Sequence, residues 1–125
     1  MMDLLEHLKE KVEESGLICE IRPESEDVFP DVTLEPLSEE WEHDNLGNRK
    51  SKEIEFNVFR YVDDNVHYAD NVKQGIDFIE QIYSLLKNKE ILNIVRCKTW
   101  FSENKDKLLV EVKANFIIKL YKRGR

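Results

Sequence analysis

Pro30-Asp31 and, 80 positions later, Glu111-Val112-Lys113 are the residues whose types could do chemistry together. Two carboxylates can hold a Mg²⁺ that activates water, and a lysine beside them can stabilise charge developing on a phosphate. Alternate residues of a strand share a face, so Glu111 and Lys113 point the same way. Glu-x-Lys is also the ordinary composition of a strand face turned to water.

A metal-dependent nuclease is therefore the enzymatic reading, and the spacing argues against it. Nucleases of this pattern keep Pro-Asp within a few tens of residues of Glu-x-Lys. The other reactive groups form no constellation. His7, His43 and His67 are not paired at helical spacing, and none has a cysteine at ligand spacing. His43 stands among Glu40, Glu42 and Asp44, which could attract a cation but reads first as a solvated loop. No nucleophile motif surrounds Ser15, Ser25 or Ser38, and Gly16, Gly47, Gly75 and Gly124 build no phosphate-cradling loop. Cys19 and Cys97 lie in separate apolar stretches without C-x-x-C spacing, as two buried reduced thiols would. No catalytic residue, cofactor or metal ligand is expected, so the chain is read as a non-enzyme.

The elements that would position these residues are legible from periodicity. Residues 2–15 put Leu4, Leu5, Leu8 and Val12 on one face of a helix, with Asp3 and Glu6 at its positive end and Gly16 as its stop. Short strands are expected at 17–22 and 32–37, with Pro36 at a strand end or edge and the acidic turn PESEDVFP between them. Residues 38–53, SEEWEHDNLGNRKSKE, lack periodicity and read as a long polar loop in which Trp41 stands out. Residues 53–62 alternate, with Ile54, Phe56 and Val58 on one side and Phe59 and Tyr61 on the other. Asp63, Asp64 and Asn65 end that strand. Residues 69–88 carry a helical stripe of Val72, Ile76, Ile79, Ile82, Tyr83 and Leu86. Strands at 94–101 and 108–121 then flank the polar turn SENKDK as a hairpin. The order α-β-β-β-α-β-β gives the α+β class, a mixed, mainly antiparallel sheet with two helices packed on it.

Composition narrows the function. The 125 residues, 41% apolar, suffice for a single domain spanning 1–125 with its own core. No apolar run is long enough for a membrane span, and the acidic amphipathic start does not resemble a secretory signal. A net charge of −7 speaks against a general duplex-DNA binder. Residues 1–44 hold 15 acidic and 3 basic side chains, whereas 45–125 hold 11 acidic and 16 basic. Such asymmetry suits head-to-tail association of copies if the two portions reach different surfaces. If they interleave in the fold, the field averages out.

The arrangement of segments resembles the tail terminator, or tail completion, proteins of long-tailed bacteriophages and prophages. The residues behind the resemblance are the N-terminal helix, DVTLEPL, EIEFNVFRYVDD, VKQGIDFIEQIYSLLK and the closing IVRCKTWFSENKDKLLVEVKANFIIKLYKR. It covers nearly the whole chain as a pattern, without a signature tripeptide. The resemblance implies a hexameric ring that caps the tail tube, stops its polymerisation and offers a surface for head–tail joining. Its partners would be copies of itself, the tail tube protein and the head–tail connector, with no membrane and no sequence-specific nucleic acid. It would act in the host cytoplasm during assembly and then at the head-proximal end of the virion tail. The expected contacts are Trp41, Phe59, Tyr61 and Trp100, with Glu39, Glu40 and Glu42 of the acidic loop near the rim. The alternative is a head–tail joining protein or another non-catalytic interaction module.

Overall fold

Val110, Val112, Ala114, Phe116 and Ile118 are all buried, and the strand that carries them is the spine of the molecule. In the computed structural model residues 1–22, 30–43, 45–47, 49–63, 68–87, 92–104 and 109–121 are described. The acidic turn at 23–29, Asp44, residues 64–67 with His67, Asn88, residues 105–108 of the hairpin turn and the tail from Lys122 lie outside them. The elements run α1 (Met2–Glu14), β1 (Cys19–Ile21), β2 (Val32–His43), β3 (Arg49–Asp63), α2 (Tyr68–Lys87), β4 (Leu92–Asn104) and β5 (Leu109–Tyr121). The protein is α+β, with a five-stranded sheet ordered β1-β2-β3-β5-β4.

The sheet is mixed, because β1 pairs parallel to β2 through Cys19, Glu20 and Ile21 while every other pairing is antiparallel. The register sets one face. Ile54, Phe56 and Val58 of β3 stand opposite Ile118, Phe116 and Ala114 of β5. Alternation then puts all six on one side, with Leu34 and Val32 of β2 beside them. Phe56 and Phe116 stack with centroids 5.4 Å apart.

Both helices cover that face. Leu5, Leu8 and Val12 of α1 and Phe78, Ile79, Ile82 and Leu86 of α2 join the sheet residues in one core cluster. Helix α1 ends as its sequence implies: the Ser15 hydroxyl donates to the Val12 carbonyl, and Gly16 adopts φ +91°. Helix α2 lies so close to β5 that a Cβ on Gly75 would overlap Val112 Cγ2 and stand 2.9 Å from its Cβ. Only glycine permits this approach.

The expected polar loop at 38–53 is a correction. Residues 38–43 and 49–53 are the outer halves of β2 and β3, so the connection is only 44–48. The ladder continues past Pro36 with a bulge at Leu37 and pairs Glu39 with Ile54, Glu40 with Glu53 and Trp41 with Lys52. Ser38 to Trp41 are exposed, so there was no apolar alternation to read. Pro36 fits because, among the described residues, β1 flanks β2 only as far as Leu34, leaving the rest of β2 as a sheet edge.

Candidate functional site

The nuclease set is dispersed by the sheet. The Asp31 carboxylate accepts the Ile18 backbone N–H at 2.8 Å, which ties the start of β2 to β1. Tyr61 donates its N–H to the Asp31 carbonyl and pairs on its other side with Glu111. Asp31 and Glu111 are therefore two strands apart, about 10 Å along the sheet. Among the described residues no group of three or more His, Cys, Asp and Glu is arranged to hold a metal. Both cysteines are free thiols. Burial pushes Cys19 up to about 12 and raises half-buried Cys97 as well, so neither is a ready nucleophile.

The clefts among the described residues are shallow. One of about 520 Å³ lies between the end of α1 and α2, lined by Ser15, Asp70, Lys73, Asp77 and Phe78 around Arg60. The Arg60 guanidinium donates to the carbonyls of Tyr61 and Asp31 and lies over the Phe78 ring at 5.6 Å, which gives it a structural role. A smaller apolar groove of about 200 Å³ opens between α2 and β4, lined by Ile76, Ile79, Tyr83, Cys97, Thr99 and Phe101.

The residues expected at contacts fall into three groups. Phe59 and Tyr61 are 1% and 5% exposed, so in the single chain they lie beneath its surface. They stack on the face away from the helices with centroids 6.2 Å apart, and the Lys113 ammonium sits 5.4 Å over Phe59. Glu39 and Glu42 are on the outer arm but paired within the subunit. Glu39 meets the Lys52 ammonium at 2.6 Å and the amino terminus at 2.8 Å, which hold its carboxyl down to about 2. Glu42 meets the Lys119 ammonium at 3.0 Å and accepts the Ser51 hydroxyl, and the two lower its pKa.

The third group is accessible. Trp41 is 37% exposed with Lys52 at 5.0 Å from its ring centroid, and Trp100 is 40% exposed between the ammoniums of Lys98 and Lys113. Glu40 is exposed and makes no side-chain hydrogen bond or ion pair among the described residues.

Two features escaped the sequence reading. A polar chain crosses four strands on the face away from the helices. Arg96 donates to Asn115, Asn115 to Asn57 and Glu55, and Asn57 to Glu35, at 2.7–3.0 Å. Its only trace in the sequence is an asparagine between apolar residues in both FNVF and ANFI. The other feature is a pair of sheet edges that no described residue covers with a strand. Strand β4 is an outer strand along its whole length, bearing Arg96 and Lys98 with Val95, Trp100 and Phe101 at 40–51% exposure. The part of β2 beyond Leu34 carries Glu39 and Glu42, paired to Lys52 and Lys119, and exposed Glu40 with no such partner among the described residues, with Leu37 and Trp41 exposed.

A scan against protein-family models finds no match, and a search of curated proteins finds none either.

Proposed function

We propose that this chain is a structural subunit of a phage or prophage tail, a tail terminator that closes the tube as a hexameric ring and makes or breaks no covalent bond. One observation carries the proposal: among the described residues the sheet has two unlike uncovered edges, one on β2 with the exposed carboxylate Glu40 and a basic, aromatic one on β4. A ring is a heterologous assembly, in which each subunit needs two different and complementary surfaces. A monomeric sheet with two long accessible edges risks indiscriminate association, whereas a ring leaves none open. The element order, whose pattern resembles that of tail terminators, suggests the biological setting.

The ring would stop growth by occupying the last tube ring on one face and presenting the other to the head connector. The same edges could serve a head–tail joining module, which would assemble on a connector rather than on a tube. Adding the protein to polymerising tail tube protein separates the two. The proposal expects a fixed length distribution that shortens as the subunit is added, with density at one tube end. Tubes of unchanged length and bare ends would refute it.

A further inference from the structure

Resting on the ring reading, we infer that copies join by extending the sheet: the free edge of β2, residues 36–43, pairs antiparallel with β4 of the next copy. The sheet order fixes the direction. Strand β2 is antiparallel to β3, β3 to β5 and β5 to β4, so β2 and β4 run oppositely. A copy displaced along the sheet therefore meets its neighbour as an antiparallel pair with the same faces aligned.

Face alignment makes the contact specific. Glu40 and Glu42 lie on the face away from the helices, as do Arg96, Lys98 and Trp100. Carried across the sheet, Glu40 is level with Asn93, so a stagger of several residues along the strands, which also clears β1, brings exposed Glu40 within reach of the neighbour's Lys98 and Arg96. On the helix face it lays Trp41 toward the rim formed by Cys97, Thr99 and Phe101, beside the apolar groove under α2. The same pairing between two acidic β2 edges, or two basic β4 edges, is opposed by charge. That repulsion enforces a head-to-tail order and disfavours a closed pair. The main-chain ladder supplies affinity and the side chains choose the partner, as in other strand-addition contacts. Six copies joined through four strands each, β2, β3, β5 and β4, would close a sheet on the order of 37 Å across at about 4.8 Å per strand, before tilt widens it.

Charge reversal tests the contact, with sedimentation and negative-stain imaging as readouts and far-UV circular dichroism as the folding control. Glu40→Lys alone and Arg96→Glu/Lys98→Glu alone should each weaken assembly by about tenfold or more, because every junction then opposes like charges. The combined triple variant, or an equal mixture of the two reversed proteins, should restore rings. Rings formed by both reversed proteins alone, or by neither restored form, would overturn this contact and leave the ring function standing. A wild-type chain that neither assembles nor caps tubes would instead remove the function itself.

Discussion

The hairpin of β2 and β3 is built in two ways along its length. Its inner half buries Val32 and Leu34 against Val58 under the helices. Its outer half, residues 38–43 against 49–55, continues the same ladder with exposed residues on β2. There Glu39–Lys52, Glu42–Lys119 and Lys52 over Trp41 replace apolar burial. The first half is fixed by the hydrophobic effect and the second by main-chain pairing and screened charges. The contrast teaches that strand length need not follow the core. An arm that leaves the core presents an edge, and an edge is what a partner strand needs.

Breaking the inner region should cost most. Phe116→Ala removes a fully buried ring stacked on Phe56 and should destabilise the fold by about 3–5 kcal/mol in urea unfolding. Gly75→Ala should cost about 1–3 kcal/mol although alanine favours helix, because its methyl meets Val112. Adding Val112→Ala removes the colliding methyls. The loss in that double variant should fall below the sum of the two single losses.

The outer arm should respond to acid, with little effect on the core. The Glu39 carboxyl sits at about 2 against an ordinary 4.5, because Lys52 and the amino terminus favour its charged form. A depressed carboxyl contributes stability that is complete above its unfolded value and is lost as pH falls through the folded one. Contacts of the arm should therefore hold at pH 5 and weaken progressively toward pH 2. A side-chain carboxyl titration by NMR with a midpoint near 4.5 would deny the pairing. At neutral pH, Glu39→Gln should speed hydrogen exchange of outer-arm amides while amides at 32–34 stay protected. The smallest effect concerns the thiols: Cys97 should react with a disulfide reagent before buried Cys19, and both more slowly than in unfolded chain.

The same division explains what the sequence revealed. Alternation along 110–118 and the stripe of α2 announce burial, so the core elements, the helices and the β4–β5 hairpin were legible. The outer arm was not, since both strands there carry mainly Glu, Ser, Lys and Arg. A hint existed in Asn45-Leu46-Gly47, where Gly47 takes φ +83° at the turn. Phe59 and Tyr61 showed that β3 has aromatics on both faces, but not that the second face is buried at that point. The parallel partner of β2 could not be read from a three-residue strand. Edge polarity appears only once strand order places β2 and β4 on opposite sides.

The central claim is head-to-tail assembly through unlike, oppositely charged edges. Light scattering of the purified chain at low and high salt, with negative-stain images of the large species, tests it most directly. The account predicts a hexamer imaged as a ring at low salt that dissociates as salt screens the edges. A strict monomer at every salt concentration, unchanged when tail tube protein is added, would contradict it.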